Sequence, residues 1–523
     1  MRTERVVVIG AGIGGLVAAL ELASRGVEVV VVEKASAPGG KMRQVEVAGA
    51  HIDAGPTVFT MRWVFEELFD RLGVRLQDHL SLQPVQTLAR HAWDAPGTTP
   101  QRLDLFADIE RSADAIGAFA GPQEARRYRE FCVRAEGIYQ TLERPFLRGT
   151  RPNPVSLAAR VGWRGLPGLA RISPFATLWG ALGEHFHDPR LRQLFGRYAT
   201  YCGSSPFLAT ATLMLVAHVE RDGVWLVEGG MHRIAATLAK LGAARGATFR
   251  YGVPVSEIVV NSGRACGVRL EGGETIDAAA VVFNGDVAAL ASGLLGAAAT
   301  PAVPSMPPAK RSLSAVTWNL LARSRGFPLL RHSVFFSNDY AAEFDDIFVR
   351  GRLPTEPTVY VCAQDRGDGD DPTPDGPERL LCLVNAPPTG DSRPLTSKEI
   401  VSCEARTFAM LERCGLQLER QPEHSVVTTP TDFERLFPAT GGALYGQSAH
   451  GWKASFNRPG SQSRIPGLVL AGGSTHPGPG VPMAALSGSL AAQRVLAERP
   501  RSSSRASTSP SPPVVTPGGT STR

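Results

Sequence analysis

A glycine-rich turn near the start of the chain restricts its fold more than any other feature. Residues 5–9, RVVVI, predict a buried strand, and residues 14–25 predict a helix that ends at Gly26. The turn between them contains Gly10, Gly12, Ile13, Gly14 and Gly15. Gly12 lets the backbone approach a pyrophosphate at the positive end of the helix, and Gly15 permits close packing of helix on strand. The pattern predicts the start of a dinucleotide-binding unit.

A second predicted strand, residues 27–33, completes a βαβ unit and ends at Glu33. A carboxylate at this position accepts hydrogen bonds from the ribose hydroxyls of an adenosine, and it would repel a 2′-phosphate. We therefore expect FAD or NAD as the ligand, and not NADP.

A second glycine-rich turn lies near the other end of the chain. The predicted strand GLVLAG precedes residues 472–483, GGSTHPGPGVPM, which open a predicted helix of residues 481–497 with Pro482 in its first turn. The backbone of such a turn can face a flavin ring, and the helix dipole would stabilise negative charge on the reduced flavin. Two nucleotide-type turns so far apart in sequence are explained by one long dinucleotide, so the expected cofactor is FAD.

The alternation of strand and helix patterns predicts how the chain is divided. We expect an α/β protein with a Rossmann-like FAD-binding domain assembled from three chain segments and an inserted α+β substrate domain. The FAD-binding segments are predicted at 1–60, 223–290 and 441–498, the substrate segments at 61–222, largely helical and membrane-contacting, and at 291–440, and a disordered tail at 499–523.

Composition excludes several classes of protein. Seven scattered cysteines, never closer than eleven residues apart, form neither a CxxC redox pair nor a local zinc site, so we expect no metal and a reducing, cytoplasmic location. The net charge of +6 is mild for 523 residues and does not predict a nucleic-acid partner. No uninterrupted apolar stretch reaches the roughly 18 residues needed to span a bilayer.

The basic residues are concentrated in residues 144–179. No acidic residue lies between Glu143 and Glu184, and this stretch also contains several tryptophan, phenylalanine and leucine residues. Its arginines are Arg144, Arg148, Arg151, Arg160, Arg164 and Arg171. Such a mixture suits an anionic membrane surface, and the alternative is a solvated arginine face above a core-packed apolar face.

His476 is the one candidate for contact with the reacting centre, because it adjoins the second glycine-rich turn. A supporting role for the backbone is its alternative. The sequence identifies no catalytic base.

Several segments together carry a resemblance to known proteins. They are residues 10–15, Glu33, PGGK at 38–41, DAGPT at 53–57, GGM at 229–231 and AGGSTHPGPGVPMAALSG at 471–488. From residue 1 to about 497 the chain resembles the bacterial phytoene desaturase family of carotenoid desaturases. The segments DAGPTVFTMRWVFEELF, DPRLRQLFGRYATYCGSSPF and GVWLVEGGMHRIAATLA are most similar to its acyclic 1-hydroxycarotenoid 3,4-desaturases.

This resemblance implies FAD, a carotenoid substrate such as 1-hydroxyneurosporene, a new C3–C4 double bond, and peripheral association with the inner membrane. By position it implies that Val255 lies near the adenine, Lys41 and Met42 near the flavin, and Gly473 and Met483 beside the isoalloxazine. The full set of expected cofactor contacts is Gly10, Gly12, Ile13, Gly14, Gly15, Glu33, Lys34, Gly40, Lys41, Met42, Pro56, Thr57, Val255, Gly472, Gly473, Val481, Pro482 and Met483.

Other functions remain open at this point. Phytoene desaturation and carotenoid isomerisation with reduced FAD are alternatives within the family. A flavin-free lipid-binding escort shares the N-terminal glycine pattern. Amine oxidation usually requires an aromatic cage and a covalent-flavin cysteine near the C-terminal turn, and no cysteine follows Cys414. Oxygen and a membrane quinone both suit the role of electron acceptor.

Overall fold

The computed structural model describes residues 4–94, 100–163, 168–169, 172–369 and 374–498. The predicted tail, residues 499–523, therefore lies outside the described residues. Within the described part the strands are β1 (Val6–Ile9), β2 (Val29–Val32), β3 (Gln44–Val47), β4 (Ala50–Asp53), β5 (Phe59–Thr60), β6 (Leu82–Pro84), β7 (Thr87–Trp93), β8 (Gln101–Phe106), β9 (Val224–Val227), β10 (Thr248–Arg250), β11 (Val255–Asn261), β12 (Arg264–Leu270), β13 (Thr275–Asp277), β14 (Ala280–Phe283), β15 (Ser314–Arg325), β16 (His332–Phe336), β17 (Val359–Ala363), β18 (Glu378–Ala386), β19 (Gln417–Glu419), β20 (Ser425–Thr428) and β21 (Leu468–Leu470).

The helices of the same ranges lie between and beside these strands. They are α1 (Ile13–Ala23), α2 (Arg62–Arg71), α3 (Ile109–Ala120), α4 (Pro122–Leu142), α5 (Pro154–Val161), α6 (Leu178–His185), α7 (Pro189–Gly196), α8 (Leu215–Asp222), α9 (His232–Ala244), α10 (Val287–Ala291), α11 (Tyr340–Phe348), α12 (Ser397–Arg413), α13 (Pro430–Leu436), α14 (Ala454–Asn457) and α15 (Val481–Glu498). None of the described helices is both long enough and apolar enough to cross a bilayer.

A five-stranded parallel sheet is the base of the molecule, with the strand order β10-β2-β1-β14-β21. Its strands come from the beginning, the middle and the end of the chain. Short runs of valine and leucine form it because a parallel sheet is covered on both faces and needs apolar side chains on both. The predicted fold class is confirmed, while the residue limits of the domains stay a prediction.

Helix α1 is buried along its whole length, and Leu16 and Leu20 have no exposed surface. It packs on the parallel sheet and is covered by α9 and α15. A Cβ at Gly488 of α15 would lie 2.3 Å from the carbonyl oxygen of Gly14, so only glycine allows these two helices to approach so closely. This packing joins the two ends of the chain.

A larger mixed sheet of eight strands stands opposite, with the order β19-β15-β18-β17-β16-β7-β8 and with β20 also paired to β15. The expectation of a largely helical segment at 61–222 is wrong in part, because β7 and β8 join this sheet and β6 pairs with β9. Strand β7 carries Arg90 and His91, whose polarity hides the strand pattern in the sequence. Both are buried, and Arg90 forms an ion pair with Asp104 of β8 at 2.7 Å.

The two sheets are held together at Asp53, the last residue of β4. Its carbonyl oxygen accepts hydrogen bonds from Gln364 at 2.8 Å and Asn319 at 3.3 Å, and its amide donates to Gln364 at 3.0 Å. Its carboxylate accepts the amide of Met231, just before α9, at 2.6 Å. The backbone groups and the carboxylate of Asp53 therefore have partners from both halves of the molecule.

We predict that Arg366→Leu lowers the free energy of unfolding by about 3–5 kcal/mol, because it leaves the fully buried Glu378 carboxylate without its cation. Chemical denaturation of the variant and the unmodified protein measures the difference. Arg325→Leu is the matched control, because it removes an exposed ion pair with Glu419 and should cost less than about 1 kcal/mol. Equal losses of unfolding free energy in the two variants would contradict a special contribution of the buried ion pair between Arg366 and Glu378.

Candidate active site

A cavity of about 1000 Å³ lies between the two sheets and is lined by residues of both. Its volume is at the upper end of the roughly 300–1,000 Å³ that is usual for ligand pockets. On one side it is bounded by the carboxyl end of β1, the start of α1 and the start of α15, and on the other by residues of β15, β17 and β18. The cavity thus begins at the edge of the parallel sheet where dinucleotides bind in this type of fold.

The start of α1 is open towards the cavity. Gly12 precedes the helix and has no side chain, so the cap residue makes no side-chain hydrogen bond to this terminus. The first N–H groups of a helix have no partner within the helix, and they carry partial positive charge. With Gly12, Ile13 and Gly14 in the cavity wall, this terminus is suited to a pyrophosphate.

Glu33 follows β2 and is held in a defined orientation. Its carboxylate accepts the amide of Ala11 at 2.6 Å and that of Ala35 at 2.8 Å. The same side chain contributes to the cavity wall together with Val255, the first residue of β11. One carboxylate therefore fixes the loop before α1 and still presents lone pairs to a ribose.

The start of α15 forms the opposite end of this half of the cavity. Gly472 and Gly473 precede it, and Val481, Pro482 and Met483 open the helix; all five line the cavity. The amide of Gly472 donates to the hydroxyl of Ser487 at 3.2 Å, which ties the turn to its own helix.

Two cations and one carboxylate meet beside this second turn. Lys41 is enclosed and donates through Nζ to the carbonyl of Leu444 at 2.6 Å, and burial lowers its pKa, against the opposing effect of Asp286. Arg458 donates to the carbonyls of Tyr445 and Gly473 at 3.0 and 3.1 Å, and burial also lowers its pKa. These positive groups can stabilise negative charge on a ligand in this part of the cavity.

The structure brings the expected cofactor contacts together. All of them except Gly15 line the cavity, including Gly10, Lys34, Gly40, Pro56 and Thr57. A Cβ at Gly15 would lie 2.1 Å from the carbonyl oxygen of Gly10, so this glycine allows helix and strand to pack as expected. The contacts of all these residues with a cofactor remain a prediction.

The lining residues that were not anticipated from the sequence include Asn284, Asp286 and Arg458. Asn284 follows β14 and donates to the carbonyl of Gly10 at 3.1 Å, and Asp286 caps α10. The signal for the first two is the sequence NGD directly after a buried strand, at the edge where ligands bind. Arg458 lies in an irregular loop that carries no comparable pattern.

His476 lies outside the cavity lining. Its Nε2 is 2.9 Å from the carbonyl oxygens of both Phe146 and Gly149, so this nitrogen donates to backbone acceptors. Burial lowers the pKa of His476 to about 4, which leaves the ring neutral at physiological pH. These contacts agree with the alternative prediction, that His476 supports the backbone.

The sequence model of a known family matches most of the chain. It is described as flavin containing amine oxidoreductase and matches residues 13–496. The chain belongs to this family. Its cofactor is accordingly FAD, as expected from the two glycine-rich turns.

Individual relatives are similar over nearly their whole lengths. The chain is 58% identical to hydroxyneurosporene desaturase of Rubrivivax gelatinosus, over 100% of this chain and 98% of the relative. It is 32% identical to the zeta-carotene-forming phytoene desaturase of Myxococcus xanthus, over 94% of each chain. The crystal structure of an oxidoreductase from Methanosarcina mazei has the same fold, with a TM-score of 0.57 and 15% identity over 94% of this chain and 100% of that one.

The residues of this flavoprotein fit FAD. The start of α1 has uncapped N–H groups for the pyrophosphate, and the Glu33 carboxylate is available for the ribose. At the other end Asp286 lines the cavity with an Oδ2 that is buried and has no hydrogen-bond partner among the described residues. A buried carboxylate oxygen without a partner is costly, and a polar edge of a bound ligand would satisfy it.

We predict that Glu33→Gln weakens FAD binding by about tenfold or more, because an amide replaces a charged acceptor and cannot receive hydrogen bonds on both of its terminal atoms. Fluorescence titration of apoprotein with FAD measures the dissociation constant. Glu28→Gln is the control, since Glu28 lies just before the same strand and forms only an exposed ion pair with Arg5. An unchanged FAD affinity in Glu33→Gln would remove this residue from the site.

Proposed function

We propose that this flavoprotein desaturates acyclic 1-hydroxycarotenoids such as 1-hydroxyneurosporene, and that it introduces the C3–C4 double bond. The support is its 58% identity, over full length, to a relative named hydroxyneurosporene desaturase, against 32% to a relative named phytoene desaturase. The observation that carries the proposal is the cavity, whose walls beyond the cofactor half are mainly apolar.

The wall that would face a polyene comes from the two substrate segments. It contains Leu142, Leu147, Leu157, Ile172, Leu213, Leu215, Val216 and Val219 on the helical side and Leu381 and Leu383 of β18 on the sheet side. Side chains of this kind bind a hydrocarbon by burial of apolar surface and keep water from the reacting carbons.

When bound, FAD would supply a two-electron acceptor for the hydride that leaves one carbon of the substrate, while the neighbouring carbon loses a proton. The protein contributes orientation of the polyene and, through Lys41 and Arg458, positive charge at the cofactor end of the cavity. Developing positive charge on the substrate is delocalised along its own double bonds, so a strong dedicated base is not required. Oxygen or a membrane quinone is the proposed final acceptor.

We also propose that the substrate enters from a membrane surface. Phe175 is 78% exposed, and its ring packs edge-on against Trp452, which is itself 39% exposed, at 5.6 Å. Trp452 and Pro174 line the cavity, so the exposed aromatic pair lies at its mouth. Aromatic rings with a nearby lysine, here Lys453 at 5.2 Å from the Trp452 ring, suit the interface of an anionic bilayer.

Three arginines of residues 144–179 form contacts within the protein, so this segment contributes less to membrane binding than its number of arginines implies. Arg148 pairs with Glu67 and Glu143, Arg151 donates to the carbonyl of Phe456, and Arg160 donates to backbone carbonyls. These contacts hold the loops around the cavity mouth. Arg164 and Arg171 lie outside the described residues.

Anaerobic addition of 1-hydroxyneurosporene to the purified holoprotein tests the proposed reaction. We expect the flavin absorption to bleach while the carotenoid spectrum shifts to longer wavelength, because one conjugated double bond is gained. Phytoene in place of the hydroxylated substrate is the comparison. Bleaching with phytoene alone would replace the proposal by phytoene desaturation, and a protein that binds no FAD would favour the lipid-escort alternative.

A double variant at the cavity mouth, Phe175→Ser with Trp452→Ser, is expected to reduce binding to phosphatidylglycerol-containing vesicles by about tenfold or more, since two aromatic side chains no longer enter the interface. Vesicle flotation measures the bound fraction. The matched control is Val349→Ser with Val401→Ser, which removes two exposed apolar side chains outside the cavity lining. Equal effects of the two double variants would argue against a specific membrane-facing mouth.

A further inference from the structure

One part of the substrate wall is polar, in contrast to the leucine and valine side chains around it. The hydroxyl-binding cluster, as we name it, consists of Arg197, Tyr201, Thr317, Tyr340 and Tyr360, and all of these residues line the cavity. They come from the segment after α7, from β15, from the start of α11 and from β17. None belongs to the parallel sheet or to the two glycine-rich turns, so the cofactor half of the cavity does not account for them.

Two hydroxyl groups of the cluster have no partner within the described residues. The Oη of Tyr340 and the Oγ1 of Thr317 form no hydrogen bond. Both atoms are buried, and the two residues are only 7% and 3% exposed. Buried polar atoms are nearly always paired, and an unpaired one lowers stability unless a ligand satisfies it. Both residues line the cavity, so a ligand there can reach them.

Arg197 is the cation of the cluster, and few of its donors are used. A guanidinium has five N–H donors, and in the described chain Arg197 forms one hydrogen bond, from Nη1 to the Oη of Tyr201 at 3.1 Å. Its guanidinium carbon lies 5.3 Å from the ring centres of both Tyr201 and Tyr360. Tyr201 in turn donates to Glu220 at 2.8 Å, which orients the hydroxyl that accepts from Arg197.

The cluster adjoins the cofactor half of the cavity. The Oη of Tyr360 and the Oγ1 of Thr57 are 2.7 Å apart, and Thr57 is one of the expected cofactor contacts. Tyr445, whose carbonyl accepts from Arg458, also lies close to Arg197, whose charge opposes the burial that raises the pKa of Tyr445 to about 12. The polar groups therefore adjoin the cofactor half of the cavity.

This position matches the chemistry of the proposed substrate. In a 1-hydroxycarotenoid the hydroxyl is on C1, two bonds from C3, so any group that binds it must lie beside the C3–C4 bond that reacts. A tertiary alcohol accepts hydrogen bonds and donates one. It can thus accept from Arg197 or Tyr340 and donate to Thr317, where a plain hydrocarbon end would leave the hydroxyls of Tyr340 and Thr317 buried and unpaired.

We propose that Arg197, Tyr340 and Thr317 bind the terminal hydroxyl of the polyene and thereby select hydroxylated over unmodified acyclic carotenoids. This inference rests on the proposed function, because it assigns the end of that substrate. The same hydrogen bonds fix the register of the chain, so that C3 and C4, and not a later pair of carbons, lie at the reacting position.

The test uses Tyr340→Phe and Thr317→Val, which remove only hydroxyl groups that bond to nothing in the described protein and so leave folding intact. The dissociation constants of 1-hydroxyneurosporene and of neurosporene, its analogue without the hydroxyl, are measured by absorption titration of the dithionite-reduced holoprotein, in which no turnover occurs. We expect each variant to weaken binding of the hydroxylated polyene by about five- to tenfold. Binding of neurosporene should stay within about twofold or improve.

Turnover provides the second readout. The ratio of kcat/KM for 1-hydroxyneurosporene to that for neurosporene should fall about tenfold in Tyr340→Phe and further in Arg197→Gln, which removes a charged donor. Tyr128→Phe is the control, because Tyr128 is buried in the core beside Phe195 and does not line the cavity. The flavin content of each variant shows whether it is folded.

Equal losses for the two polyenes, or no loss for either, would overturn hydroxyl recognition by this cluster and leave the proposed desaturation standing. Failure of the proposed function has a different signature, since the unmodified protein would then not act on 1-hydroxyneurosporene at all. A selective loss in Tyr340→Phe and Thr317→Val, with Tyr128→Phe unchanged, supports the inference.

Discussion

The buried junction at Asp53 determines how the two halves of the molecule meet. Its backbone bonds to Gln364 and Asn319 of the substrate half, while its carboxylate bonds to the amide of Met231 in the nucleotide half. A Cβ at Gly230 would lie 2.4 Å from that carboxylate, so only glycine allows the chain to pass this close to Asp53. Because loss of these buried hydrogen bonds would be costly, they oppose sliding of the two halves and help to keep the shape of the cavity between them.

The cavity combines three environments that follow from where its walls originate. The parallel sheet contributes two helix N-termini, which favour an anionic dinucleotide. Beside the second one, Lys41 and Arg458 are enclosed as cations whose pKa values are lowered by burial. The substrate half contributes apolar walls interrupted by a small polar group around Arg197 and Tyr340. A polyene with one polar end matches this order of cofactor, cation and hydrocarbon surfaces.

Sequence patterns predicted the elements whose signal is local. The βαβ start, the helix of residues 481–498 and the glycines of both turns followed from strand and helix periods and from glycine spacing. Strand β7 was missed, because Arg90 and His91 are polar in sequence and become buried only when β8 and β16 supply their partners. Arg458 was missed for a similar reason, since its role depends on carbonyl groups of distant loops.

The sequence by itself thus predicted that the protein binds a dinucleotide, and it predicted contacts from Glu33 and the residues around Gly12 at one end and from the turn before Val481 at the other. These features are short, and their chemistry depends on neighbours along the chain. Only the tertiary structure decided that one cavity joins both turns, that His476 lies outside its lining, and that unpaired hydroxyls of Thr317 and Tyr340 lie within it. Whether a buried polar atom has a partner depends on contacts between segments far apart in sequence, and no local pattern contains that information.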